Sequence, residues 1–140
     1  MPMEHAVLLV DDAIPFCRSL QPLLQAERYQ VDFAHSGAEA LDRLRQRAYA
    51  AALVDINLPD GSGFDVVASM ARRWPHCAVI VVSGEDSLDN AVRAAHAGAM
   101  DFIEKPVEAD RLQITLRNAL KTVKLAQRVE QLEPAQRREF

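Results

Sequence analysis

The sequence predicts an α/β fold: a single doubly wound, five-stranded parallel sheet with helices on both faces. Three observations predict it. Apolar runs alternate with helix-period segments along the chain. The runs begin at residues 6, 29, 50, 77 and 100, so each repeat spans 21–27 residues, the pitch of a strand, a helix and two short loops. Three of the runs are continuously apolar, as strands covered on both faces are. The length of 140 residues fits one domain, and 49% apolar residues supply a core that needs no crosslink.

The continuous runs are Ala6–Val10, Ala50–Val54 and Cys77–Val82, which read as central strands. Tyr29–Ala34 alternates and Met100–Ile103 nearly does, so these read as edges. Three central and two edge strands are consistent with the flavodoxin-like order 2-1-3-4-5, although periodicity alone does not fix that order. Helices are expected over 14–26, 37–47, 63–73, 87–97 and 108–132. Ser36-Gly37-Ala38-Glu39 and Ser62-Gly63-Phe64-Asp65 have the form of capping boxes, with a hydroxyl for the free amides and an acid three residues on. Leu58-Pro59-Asp60-Gly61 is a turn signal, and Gly98 stands where a helix C-terminus favours glycine.

The last helix is longer than the fold needs. Leu112, Leu116, Leu120 and Val123 form a core-facing stripe, and Leu125, Val129 and Leu132 are expected to continue it. The domain is therefore expected over 1–122. Residues 123–140 are expected to be a helical extension or linker, partly disordered from Glu133 onward. The extension reads equally as a solvated helix and as a coiled-coil linker to a dimer partner or a further domain.

Composition narrows the function. A net charge of −4 disfavours general nucleic-acid binding, which needs surplus Lys and Arg, and no segment resembles a DNA-reading helix-turn-helix. No apolar stretch approaches a membrane span. The start, Met1-Pro2-Met3-Glu4-His5, lacks the basic and apolar regions of a secretion signal. Cys17 and Cys77 lie in apolar periodic segments and read as buried thiols, which points to a reducing, cytoplasmic compartment. His5, His35, His76 and His96 show no metal-ligand spacing and read as surface or boundary residues.

Open α/β sheets bind ligands beyond the carboxyl ends of their strands. The residues ending the apolar runs are Asp11 and Asp12 (first strand), Asp55 (third), Ser83 (fourth) and, near the end of the fifth, Lys105. Three clustered acids repel one another unless a cation neutralises them. Oxygen donors without His or Cys favour Mg²⁺ or Mn²⁺ over zinc. A hydroxyl and an ammonium on the same rim suit the equatorial oxygens of a phosphoryl group, with a carboxylate as the attacking group. Taken singly, each residue has a plainer reading: Asp11 as a helix cap, Asp55 as a loop acid, Ser83 as an N-cap, Lys105 as a surface lysine.

The set Asp11-Asp12, Asp55 in Leu53-Val54-Asp55-Ile56-Asn57-Leu58-Pro59, Ser83 in Val81-Val82-Ser83-Gly84, and Lys105-Pro106 resembles the signature of response-regulator receiver domains, over about residues 6–120. The resemblance implies that Asp55 is the phosphoacceptor and that Asp12 is the direct metal ligand. It implies that Asp11 acts nearby through water, and that the Asn57 backbone carbonyl completes the protein's share of the Mg²⁺ site. It implies that Ser83 is the switch hydroxyl, that Phe102 is the aromatic switch, and that Lys105 pairs with the phosphoryl group and precedes a cis peptide bond. The expected partners are a histidine kinase or phosphotransfer protein and an output domain or partner of unknown kind. The 87–132 face is the candidate surface for a homodimer; neither nucleic acid nor membrane is expected to bind this segment. Asn57, Ser83 and Gly84 depart from common family choices. With Glu85, Asn57 is expected to flank the phosphoryl group with polar side chains and so to favour a short-lived aspartyl phosphate.

Two other readings compete. A pseudo-receiver would bind a partner without phosphorylation, but both Asp55 and Lys105 are present. An aspartate-nucleophile phosphatase would carry a second acid two residues after its nucleophile, where Asn57 stands. The expected activity is thus signalling, with phosphoryl transfer directed at the domain itself, including autodephosphorylation, rather than turnover of an external substrate.

Overall fold

A computed structural model describes residues 5–84 and 88–131, the side chain of Gln131 excepted. Its elements are β1 (His5–Val10), α1 (Ile14–Ala26), β2 (Tyr29–Ala34), α2 (Gly37–Gln46), β3 (Ala51–Asp55), β4 (Asn57–Leu58), β5 (Gly61–Ser62), α3 (Gly63–Arg73), β6 (Ala78–Ser83), α4 (Leu88–Ala97), β7 (Asp101–Glu104) and α5 (Ala109–Gln131). The main sheet has the order β2-β1-β3-β6-β7, all parallel. With the small β4–β5 hairpin set aside, this is the expected 2-1-3-4-5 arrangement. The hairpin is antiparallel and occupies the segment that the sequence marked only as a turn; strands of two residues are too short to show a period.

Alternation along each central strand sends side chains to two separate cores. Leu8, Val10, Ala52, Val54, Val79 and Val81 pack with α2, α3 and α4. Val7, Leu9, Ala51, Leu53, Ala78, Ile80 and Val82 pack with α1 and α5. Each buried Val, Leu or Ile contributes about 1.5–3 kcal/mol relative to exposure. The three central strands are therefore the stable part of the molecule, and their carboxyl ends inherit that rigidity.

The caps work, with a shift in both boxes. Ser36 accepts from the amide of Glu39 as expected, but the Glu39 carboxylate accepts from the amide of His35 rather than that of Ser36. Ser62 accepts from Phe64, one residue earlier than a capping box requires. A second cap on α2 comes from across the fold. Both carboxylate oxygens of Asp60 accept from the amides of Gly37 and Ala38, at 2.8 and 2.9 Å. These bonds hold the Asp60 carboxyl below the usual carboxylate range and tie the β4–β5 hairpin to α2.

The stripe on α5 ends earlier than expected. Leu112, Leu116 and Val123 are buried, with Ala119 beside them, and Leu120 is half-buried. Leu125 and Val129 are 51% and 39% exposed. At about 100° per residue, Leu125 lies roughly 200° around the helix from Val123, so these two side chains form a separate face with Ile114 rather than prolonging the core stripe. Leu132 and residues 133–140 lie outside the described residues. Among the described residues, no helix is long and apolar enough to cross a membrane.

Gly63 sets how closely α3 approaches the end of β3. Its amide donates to the Ile56 carbonyl at 2.8 Å, and a Cβ there would overlap the Asp55 carbonyl and stand 2.6 Å from the Ile56 Cα. Backbone cannot yield as a flexible side chain can. Gly63→Ala is expected to cost about 3 kcal/mol or more, near the upper range for overpacking. Urea unfolding checks this, and a loss below about 1 kcal/mol would show that the segment relaxes.

Candidate functional site

Parallel strands bring their carboxyl ends to one rim. β1 and β3 are neighbours, β6 lies beside β3 and β7 beside β6. The residues at or just beyond those ends are Asp11 and Asp12, Asp55, Ser83 and Lys105. One carboxylate oxygen from each of Asp11, Asp12 and Asp55 can be chosen so that all lie within 4.8 Å of one another. Asp11 and Asp55 are buried and Asp12 is exposed.

Asp11 is held at every polar atom. Its amide donates to the Ala34 carbonyl at 3.0 Å. Its own carbonyl accepts from Nδ1 of His35 at 3.0 Å and from the Cys17 thiol at 3.5 Å. Oδ1 accepts from the amide of Ala13, the N-cap position of α1, and Oδ2 accepts from Lys105 Nζ, both at 2.8 Å. Asp11 thus belongs to the acidic cluster, whereas the helix-cap reading does not hold: the N-cap of α1 is Ala13, and Asp11 binds that residue's own amide in the turn before the helix.

Lys105 Nζ also lies 3.7 Å from Oδ2 of Asp55 and 4.2 Å from the centre of the Phe16 ring. The Lys105 amide donates to the Ser83 carbonyl at 2.8 Å, which joins the loop after β7 to the end of β6. The Lys105–Pro106 bond is cis, as the resemblance implied. Ser83 is fully buried. Phe102 is half-buried on β7 and packs against the core shared with α2, α3 and α4. Asn57 is exposed, and its amide donates to Oδ1 of Asp55 at 3.3 Å. Among the described residues, a Cβ added at Gly84 would meet no atom within 4 Å. Glu85 lies outside the described residues.

Burial is the main force on Asp55: it pushes the carboxyl above the usual carboxylate range. The Asn57 amide opposes the shift, Asp11 adds to it, Lys105 opposes it and Asp12 adds to it. Burial likewise pushes the Cys17 thiol up to about 11 and the Cys77 thiol to about 12, so both are protonated and weakly nucleophilic at neutral pH. Both are free and buried, as expected. None of the four histidines joins a metal-binding group among the described residues.

Two neighbours of the site were not singled out from sequence. His35 directly follows β2, so the strand-end rule that selected Ser83 and Lys105 would have selected it too. Phe16 sits in the first turn of α1 and carries no signal that separates it from an ordinary core aromatic.

The weakened acidity of Asp55 has a stability consequence. The folded state holds the Asp55 proton more tightly than the unfolded chain does, so stability falls as pH rises through and above the ordinary carboxylate range. The charged form is therefore a burden at neutral pH. In metal-free buffer at pH 7, Asp55→Asn is expected to melt at a higher temperature than the wild type, and the gap should close near pH 3. Calorimetry at the two pH values checks it; a lower melting temperature at pH 7 contradicts the charge argument.

Comparison with known proteins agrees with this fold. The family described as response regulator receiver domain matches residues 7–117. The chain is 34% identical to the transcriptional regulatory protein ZraR of Klebsiella oxytoca over 121 residues, covering 86% of this chain and 27% of ZraR. The signal receiver domain of a putative Luxo repressor protein from Vibrio parahaemolyticus superposes with a TM-score of 0.85 at 31% identity, covering 92% of this chain and 99% of that one. The beryllofluoride-activated NtrC4 receiver domain dimer gives a TM-score of 0.80 at 32% identity, covering 84% and 98%. The chain spans only about a quarter of the length of ZraR.

Proposed function

The chain belongs to the response regulator receiver domain family, and on that premise we propose that Asp55 accepts a phosphoryl group from a histidine kinase or phosphotransfer protein. The observation that carries the proposal is the convergence of Asp11, Asp12, Asp55 and the Lys105 ammonium at one sheet rim. Receiver domains are signalling phosphoacceptors of two-component systems, and they bind Mg²⁺ at an acidic pocket. The donor set here fits that ion: three carboxylates, no His and no Cys. Asp12 and Asp55 are the proposed direct ligands, with the Asn57 carbonyl. Asp11 is proposed to act through water, because Ala13 and Lys105 already occupy its two oxygens. When bound, Mg²⁺ offsets carboxylate repulsion and neutralises charge on the phosphoryl oxygens.

The chain's own residues account for the rest. One oxygen of ionised Asp55 attacks phosphorus, the phosphorus–nitrogen bond of the donor histidine breaks, and the imidazole leaves with that electron pair. The Asn57 amide and Lys105 favour the ionised carboxylate that attack requires. Lys105 then exchanges its bond to Asp11 for one to a phosphoryl oxygen, and Ser83 bonds a second oxygen. The Lys105 amide already joins these two segments. Phe102 follows Ser83 in the proposed switch. The readout is a shift in the surface of α4, β7 and α5, where Leu88 (82% exposed), Val92, Met100 and Ile114 stand exposed. This 87–132 face is the proposed homodimer surface. The extension beyond 122 is proposed to lead toward an output domain, within a cytoplasmic regulator.

Incubation with phosphoramidate and Mg²⁺ should add one phosphoryl group by intact mass, and Asp55→Asn should abolish it. No adduct on the wild type would instead support an interaction module that works without phosphorylation. Asp12→Ala should weaken Mg²⁺ binding by about tenfold or more, since one of the few carboxylate donors is lost. Calorimetric titration measures this, and unchanged affinity would remove Asp12 from the site.

A further inference from the structure

Lys105 has a third neighbour besides the two carboxylates. The Phe16 ring centre lies 4.2 Å from Nζ, within cation–π range. Phe16 is half-buried and packs with the α1/α5 core, so the ring is fixed while the lysine stem has several rotatable bonds. Ring and carboxylate are placed by the same residue. Asp11 bonds Nζ through Oδ2 and, through Oδ1, the amide of Ala13, the N-cap of the helix that carries Phe16. The start of α1 and the ammonium are therefore referenced to one side chain.

We propose that Phe16 is a positioning residue: its ring face holds the Lys105 ammonium over the acidic pocket without adding negative charge. The sign of that charge matters. The rim already gathers three carboxylates, and the incoming phosphoryl group brings about −2 more. A fourth acid would hold the lysine equally well but would repel the group it must meet. An aromatic face attracts the cation through its quadrupole and leaves the net charge of the site unchanged. It also offers no hydrogen-bond acceptor, so the ammonium can leave Asp11 for a phosphoryl oxygen while still against the ring.

This inference rests on the proposed phosphoacceptor role, and its test separates the two. Phe16 is replaced in the full chain by 4-fluoro-, 3,5-difluoro- and 3,4,5-trifluorophenylalanine, which nearly keep the ring's shape while draining its negative face. Phosphoryl acceptance from phosphoramidate at saturating Mg²⁺ should slow stepwise, reaching about three- to tenfold for the trifluoro ring. Phe16→Leu should slow similarly and Phe16→Tyr should stay near wild type. In the unphosphorylated protein, the Lys105 ε-methylene resonance should be shifted upfield by the ring and lose that shift in Phe16→Leu. Phosphorylation at a rate indifferent to fluorination overturns the role of the ring alone, as does a Lys105 resonance with no ring shift. A wild type that takes no phosphoryl group, while the ring shift is present, overturns the phosphoacceptor reading and the catalytic consequence of the contact with it.

Discussion

Three carboxylates and one ammonium share the carboxyl rim of the sheet, and their balance of charge is the constraint on which the rest depends. Two unit charges 4 Å apart interact by about 4 kcal/mol at an effective dielectric near 20. Three acids within 4.8 Å of one another therefore repel, least at the exposed Asp12, where solvent screens the charge. Lys105 offsets part of this repulsion by bonding Asp11 and approaching Asp55. The remainder appears in Asp55, which burial and its acidic neighbours push toward the protonated form. A cluster of this kind stays together only on a scaffold that cannot spread.

The scaffold meets that demand unevenly. β1, β3 and β6 are buried along nearly their whole length and packed from both faces, so the ends that carry the acids are fixed. Gly63 brings α3 against the end of β3, and Asp60 ties the following hairpin to α2. On the other side of the site the packing thins. Only Ala94 of α4 is buried, and the Arg93 guanidinium lies over the Phe64 ring of α3 at 4.3 Å. Elements with few buried apolar contacts are the ones that rearrange at low cost. Stiffness is thus concentrated where charge must be held, and looseness where a change can be read.

The fold was largely legible because its signals are one-dimensional. Strand runs and helix periods lie within a residue or two of the observed elements, and the strand-end rule found Asp11, Asp12, Asp55, Ser83 and Lys105 without coordinates. What escaped depends on contacts between distant segments. Nothing local marks Asp60 as the cap of a helix 23 positions earlier, nor Phe16 as the neighbour of Lys105. The α5 stripe misled for a different reason. Leu125 and Val129 are apolar at plausible spacing from Leu132, but relative to Val123 they turn to the opposite side, and a count of apolar residues without tracking the angle merges two faces into one.

Asp11 and Lys105 together explain how a local change in charge can reach the backbone. Asp11 joins the ammonium to Ala13, the N-cap of α1, through its two oxygens. Lys105 joins the same ammonium to the end of β6 through its amide on the Ser83 carbonyl. In the proposed phosphorylated state the ammonium leaves one end of this chain of bonds, and the segment bearing Lys105 is the one hydrogen-bonded to Ser83 and continuous with Phe102. The electrostatic event and the two proposed switch residues are therefore linked by one backbone hydrogen bond and three peptide units. A population shift needs no longer path than that, provided the two arrangements differ in their affinity for the phosphoryl group.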